Sequence, residues 1–306
     1  MKIRSFLPLL LVSTVACGGA ANRSAPGTTP TADAARTYPI HLHRHAHVGD
    51  RARVVFDVVE DNGTVMHLSS TGKEISNEHK TRRTHLDGVV TTVALDARQD
   101  ELRSTLDVTT LIVDSGVVLQ NKRVDITKTR KADDAILTVD GSPVSLELRK
   151  ALRDVLDLRV GGPSDDEIFG TSQPQHVGAH WPINGELARA DLAEDQGADV
   201  SSTKISGETT FAGVKHVGSL DALELKAEMH IDGLTVTLPQ PGATCDPGQA
   251  KAVMSKLVAV AEDRGVFESH MAFEMAVRIH VPTPAGDVVI GDVTVTARHD
   301  DQTTRL

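Results

Sequence analysis

Arg51-Ala52-Arg53-Val54-Val55-Phe56-Asp57-Val58-Val59-Glu60-Asp61-Asn62-Gly63-Thr64 decides the fold class. Val54, Phe56 and Val58 recur at every second position. Period two puts them on one side of an extended chain. Asp61-Asn62-Gly63 reads as a hairpin turn, because Asn and Gly tolerate positive φ, and 64–70 reads as the returning strand. The same texture recurs at 89–97, 103–113, 117–129 and 135–139, separated by Asp-rich or Ser-Gly turns. The polar stretch 73–84, with Ile75 as its one apolar residue, fits a solvated strand or an exposed loop.

Further along, 200–205, 208–214, 220–231 and 234–238 read as strands. Residues 266–281 and 287–298 form a closing hairpin around Pro282-Thr283-Pro284-Ala285-Gly286. Two segments carry helical spacing instead. Ser142-Pro143 opens the first, with Leu146, Leu148, Leu152, Val155 and Leu156 on one side to about 158. Asp246-Pro247 opens the second, with Ala250, Val253, Met254, Leu257, Val258 and Ala261 on one side until Arg264-Gly265. The expected class is α+β: a mainly antiparallel sheet with two amphipathic helices, near 144–158 and 247–263. Val177-Gly178 echoes Val48-Gly49. A β-rich domain over 37–306 is therefore expected either as one unit or as two halves, 37–160 and 176–306, joined by the Gly-, Pro- and Asp-rich stretch 159–175.

The chain begins with Lys2 and Arg4, an apolar run over 6–16, and then Ala16-Cys17-Gly18-Gly19. Charged start, apolar middle and small residues at the cut make a secretory signal. The Cys at the cut resembles a bacterial lipoprotein signal, with Ala16 as the small residue before it; Thr14 stands where that pattern prefers an aliphatic residue. The resemblance implies a signal peptide over 1–16, lipid on Cys17 and a membrane anchor through that lipid. Gly18 in place of Asp implies an outer-membrane lipoprotein facing the periplasm or the exterior. Eleven apolar residues fall short of the ~20 that a spanning helix needs. The small, polar stretch 17–36 reads as a flexible tether.

Composition narrows the function classes. Removing Lys2 and Arg4 with the signal leaves 30 basic against 42 acidic residues, a formal charge of −12. That charge repels phosphate backbones, so no nucleic-acid partner is expected. With six Phe, one Tyr and one Trp, there is little aromatic surface for stacking on bases or sugars. With Cys17 lipidated, Cys245 has no partner for a disulfide within the processed chain. Its place beside the expected helix start at Asp246-Pro247 could lower a thiol pKa, although no C-x-x-C accompanies it; the plain reading is an idle thiol.

His41, His43, His45 and His47 alternate through 40–48. On a strand, neighbouring rings at i and i+2 could share one Zn²⁺ or Cu²⁺, with His67 as a third ligand. The alternative is a solvated strand face whose polar residues are His. Ser70 and Lys73 have S-x-x-K spacing without its companion motifs. Asp165-Asp166-Glu167 and Asp300-Asp301 lack the spacing of a calcium loop and read as solvated charges. Trp181 reads as a packing anchor. There is no G-x-S-x-G, H-E-x-x-H, P-loop or dinucleotide fingerprint, so no enzyme is expected.

The expected protein is a membrane-anchored, non-catalytic envelope lipoprotein that binds or carries a hydrophobic ligand or an envelope protein. In element order it resembles the lipid- and lipoprotein-carrier half-barrels of bacterial envelopes. That resemblance implies a curled half-barrel with an aliphatic pocket of roughly several hundred Å³. The alternatives are a structural or interaction lipoprotein without a small ligand, and a metal-binding protein using the His41–His47 strand.

Overall fold

The computed structural model describes residues 36–42, 46–196, 200, 202–218, 220–236, 238, 240–260 and 266–306. Cys17, the expected signal and most of the expected tether lie outside them, as do His43 and His45. The described strands are β1 (Arg51–Leu68), β2 (Glu74–Leu95), β3 (Glu101–Val113), β4 (Gly116–Thr127), β5 (Ile136–Val139), β6 (Ser142–Pro143) and β7 (His180–Pro182). They continue as β8 (Lys204–Val217), β9 (Leu220–Leu234), β10 (Thr244–Cys245), β11 (Gly248–Ala259), β12 (Val266–Pro282) and β13 (Val288–Arg305). Three helices interrupt them: α1 (Leu146–Val155), α2 (Asp165–Phe169) and α3 (Gly185–Gln196).

All thirteen strands join one sheet in the order β6-β5-β4-β3-β2-β1-β13-β12-β11-β9-β8-β7, with β10 paired to β12 off that path. Every pairing between these strands is antiparallel, and the path ends on two short edge strands, so the sheet is open. It consists of two six-strand meanders laid side by side. The seam between them is the pairing of β1 with β13, from Ala52↔Arg305 to Leu68↔Val289. The Val-Gly echo recurs as matching turns. Gly49 (φ +90°) donates to Thr92 O, and Thr92 N returns to Asp50 O. Gly178 (φ +87°) donates to Phe211 O, and Phe211 N returns to Ala179 O.

The sheet has one apolar and one charged face. Val54 and Val58 of β1 pack with Leu86, Leu106, Leu111 and Val124 beneath Leu148, Ala151, Leu152 and Val155 of α1. On the other meander, Ile168 of α2 and Ala188 and Leu192 of α3 pack on Met229, Ile231, Phe273 and Val295. The register pairs Val58 with His299, and Val295 shares the parity of His299, so all three helices lie on the same face. The opposite face carries cross-strand pairs: Arg53–Asp87 at 2.9 Å, Arg123–Asp107 at 2.6 Å, His85–Asp57 at 2.8 Å and Arg278–Asp292 at 2.7 Å. Such exposed pairs contribute little stability each, but they favour one register and keep the face wet.

Several sequence expectations are corrected. The expected second helix, 247–263, is instead strand β11 where described. Its apolar residues satisfy both periods: Ala250, Val253, Met254 and Leu257 a helix, Ala250, Ala252 and Met254 a strand. Pairing with β9 on one side and β12 on the other selects the strand. The expected turn at Asp61-Asn62-Gly63 does not form; β1 runs straight through it, paired on both sides. Gly63 serves close approach instead, since a Cβ there would lie 2.7 Å from Thr294 Oγ1. The chain turns at 69–72, where Gly72 has φ +65°, and the hydroxyls of Ser69 and Ser70 donate to Asp287 in the β12–β13 turn.

The expected strand over 40–48 is also absent among the described residues: 39–42 and 46–47 have no strand assignment, and 48–49 form a turn. Ser142-Pro143 is strand β6, and the first helix is capped by Ser145, whose side chain accepts from Leu148 N at 3.2 Å. The region 159–175 holds α2, closed by a Ser164–Glu167 capping box. The sequence reading assigned no element at α3, which starts at an Asn184 side chain accepting from Leu187 N at 3.2 Å. The fold is thus mainly antiparallel sheet with three helices, not two.

Leu152 of α1 is fully buried, whereas Leu146 at its start is exposed. Leu152→Ala should lower unfolding free energy by about 2–5 kcal/mol, and Leu146→Ala by less than about 0.5 kcal/mol. Urea titration of both variants checks this.

Candidate functional site

The candidate site is the seam on the helix-bearing face, along β1 and β13, where the two apolar clusters meet. Its floor has half-buried Phe56, Glu60, Asn62, Thr64 and Met66 from β1, beside Val293 and Asp301 from β13. Carboxylates from the helices tie down both sides. Asp154 of α1 accepts from Arg82 Nε at 2.7 Å and from Thr84 Oγ1 at 3.1 Å. Asp165 of α2 pairs with Lys256 of β11. Asp191 of α3 pairs with Arg159 at 2.9 Å. Burial pushes the Asp154 carboxyl up, against the pull of Arg82 and Thr84. Breaking such a tie would leave a charge with little solvent.

One row runs across six strands on this face: Phe211, Leu225, Lys256, Ser269, Asp301 and Phe56. Within it, burial raises the Asp301 carboxyl from 3.8 to about 6, against Lys256, His270 and the Ser269 amide. Two residues along β13, His299 is only 8% exposed, and neither ring nitrogen has a hydrogen-bond partner. Its ring meets Phe56 edge-to-face at 5.4 Å. Burial lowers its pKa from 6.5 to about 4, so the ring is neutral at pH 7. The Arg82 Nη2 is likewise buried without a partner.

The residues singled out in the sequence fall elsewhere. His41 and His47 are exposed, and His47 Nδ1 lies 3.5 Å from Asp50. His67 is in β1, paired with Ile290 and Glu74. Among the described residues, no three His, Cys, Asp or Glu side chains converge as metal ligands. Cys245 lies in β10, away from any helix start, and its thiol donates to Asp246 O at 3.3 Å. Trp181 is buried in β7, donating to Phe169 O at 2.8 Å.

The acidic clusters lie in α2 and β13 rather than in loops, and most of their members have partners. Asp165 pairs with Lys256, Asp166 accepts from Leu42 N at 2.5 Å, and Glu167 caps α2. Asp300 holds His270 at 2.8 Å and Arg298 at 2.6 Å, and Asp301 is half-buried. Asp154, Arg82, Lys256 and His299 were missed altogether. The only sequence signal for them was a charge at an inward position of an alternating strand or on the apolar side of a helix.

No protein-family model and no curated protein matches the chain. Among solved structures, it aligns over 81% of its length with 99% of a chain described as "Asymmetric conductivity of engineered proteins", at 7% identity and a TM-score of 0.16. Two mutants of Rh. blastica porin align over 81% and 82% of this chain and 99% of theirs. Identity is 8% for each, and the TM-scores are 0.16 and 0.14. Likenesses this low carry no argument about fold or activity.

His299 and Asp301 act in opposite directions on acidification. His299 stays neutral when folded but gains a proton near 6.5 when unfolded, so its contribution is lost as pH falls from 6.5 towards about 4. That loss is worth roughly 3 kcal/mol. Asp301 binds its proton more readily when folded, so its contribution grows as pH falls through about 6 towards 3.8. Asp301→Asn should therefore lose more stability than wild type between pH 6.5 and 4, and His299→Phe less. Urea titrations across that range decide it; parallel profiles for all three proteins would remove both groups from the account.

Proposed function

We propose that this protein is a membrane-anchored envelope lipoprotein without catalytic activity, which binds a hydrophobic ligand or partner along the β1–β13 seam. The observation that carries this reading is the arrangement of the sheet. Two helix-covered apolar clusters leave a strip between them whose floor, along Glu60 to Met66 of β1, is only half covered. Lys2, Arg4, the apolar run to Ala16 and Cys17 support the anchor, and the outer membrane is the destination that Gly18 implies. The charged opposite face supports a domain standing in water beside the bilayer, because a lipid-facing sheet surface is apolar.

The space beneath α1 is filled: Ala151, Leu152, Leu86 and Leu106 have essentially no exposure. A described hollow of about 570 Å³, lined by Val89, Val108, Asn121 and the exposed Asp107–Arg123 ion pair among others, lies wide open to solvent rather than enclosed. These observations favour an occupant lying along the seam over one enclosed beneath the helices. They also give weight to the second reading, an interaction lipoprotein whose partner is a protein.

Two measurements test the proposal. Protein made in its native host should carry an acyl mass that Cys17→Ser removes; wild type without that mass ends the anchor reading. Solvent extraction of the purified protein should release lipid beyond the acyl chains on Cys17, and Met66→Glu/Val293→Glu should release much less. Equal, trace amounts from both proteins would leave the partner-binding reading in its place.

A further inference from the structure

β2 is paired on both sides over only part of its length. β1 pairs with it down to Glu74, whereas β3 stops at Thr84↔Val113. The outer flank of 74–82 therefore has no strand against it among the described residues. Half-buried Ser76 and Arg82 apart, its residues are exposed. The β3–β4 turn closes this slot at Arg83, whose carbonyl accepts from Asp114 N at 2.7 Å.

β4 and β8 also have open outer flanks, and both are bent. On β4, Asn121 at φ +49° interrupts 116–123; on β8 the register slips between Phe211 and Gly213. β2 keeps one continuous register from Ser76 to Thr84, and its irregularity is confined to the turn end, between Glu74 and Ser76. A straight, unpaired flank offers its backbone N–H and C=O groups to another strand.

The charges on this flank also depart from the rest of the sheet. Elsewhere, Arg53–Asp87, Arg123–Asp107, Arg278–Asp292 and Lys251–Glu228 pair between neighbouring strands. Arg82 is held by Asp154, and Arg83 stands beside Asp114, whose carboxylate accepts its amide at 2.9 Å. Glu74, Glu78 and Lys80 make no ion pair among the described residues. Ile75, the one apolar residue of the stretch, is 46% exposed.

We infer that 74–82 pairs antiparallel with the same flank of a second copy of this chain, with Asn77 opposite Asn77. The two-fold axis runs perpendicular to the sheet, so both helix-bearing faces lie on one side. Charge and space select this register. Centred on Asn77, Glu74 lies beside His79 and Lys80 of the second copy, Ser76 lies opposite Glu78, Ile75 is covered, and Lys73 approaches Asp114 of the other copy. Centring on Glu78 sets two Glu78 carboxylates opposite each other, which is destabilising. Centring on Ser76 brings Glu78 beside Glu74 and sets the two irregular ends together. Centring on His79 drives each hairpin tip past Arg83 into the other copy's β3–β4 turn. About seven paired residues a side make a ladder ~23 Å long. That is small for a protein interface, so a dissociation constant in roughly the micromolar range is expected. The pairing leaves the β1–β13 seam uncovered and needs neither the Cys17 anchor nor a seam ligand.

The test uses the full chain carrying Cys17→Ser and Cys245→Ser, which has no thiol of its own. Concentrated and mildly oxidised, its Asn77→Cys variant should give about tenfold more disulfide-linked dimer than Ile75→Cys or His79→Cys, because directly opposed Cβ atoms lie near the span of a disulfide and those four residues apart do not. Lys80→Glu should cut the Asn77→Cys yield several-fold, and adding Glu74→Lys should restore it. All five positions are exposed, so these changes spare the core. No dimer at 77, equal yields at 75, 77 and 79, or no restoration by the second charge change overturns the pairing. So does a cross-link at 77 to a chain of different mass. The anchor and seam readings stand or fall separately, on the acyl mass and the extracted lipid.

Discussion

The pairing of β1 with β13 is the constraint on which the rest of the structure depends. It joins the first long strand to the last over the full length of both. Without it, each meander would end in a long open edge, a liability for any exposed sheet. With it, the apolar faces of both meanders become one surface, and the helices of each half lie on the same side. The turns at Gly49 and Gly178 show how alike the two halves are at their starts.

The helices are held by packing first and by charge second. Leu152, Ile168 and Leu192 supply the buried area, and Asp154, Asp165 and Asp191 fix each helix to a cation on or beside the sheet. Half-buried ion pairs of this kind add little net stability but resist being broken, because a lone buried charge is costly. They therefore set position more than they set strength. The same reasoning explains how His299 is tolerated: kept neutral by its surroundings, it needs no counter-charge.

Much of the fold was legible because alternation is a local signal. Val54, Phe56 and Val58 announce β1, and Pro282 to Gly286 announce the last hairpin. What was not legible depended on distant partners. Asn62-Gly63 has the chemistry of a turn, yet β1 continues through it because strands on both flanks bind its backbone. The segment 248–259 has an apolar pattern that either period satisfies, and only β9 and β12 decide between them. The site was less legible still. Asp154 and Lys256 look like ordinary surface charges in the sequence, and only the fold turns them inward. The histidine run, conspicuous in the sequence, lies partly outside the described residues, and its described members face solvent.

The β1–β13 ladder also sets a temporal order. A chain is made from its N-terminus, so β1 is complete well before β13. One flank of β1 can pair at once with β2, while the other must wait for the last residues of the chain. Contacts so distant in sequence form slowly, and an unpaired flank invites other chains in the meantime. Until β13 pairs with it, that flank of β1 is an open edge. Loss of the last few residues of β13 would unpair only the start of β1 and leave most of the ladder in place.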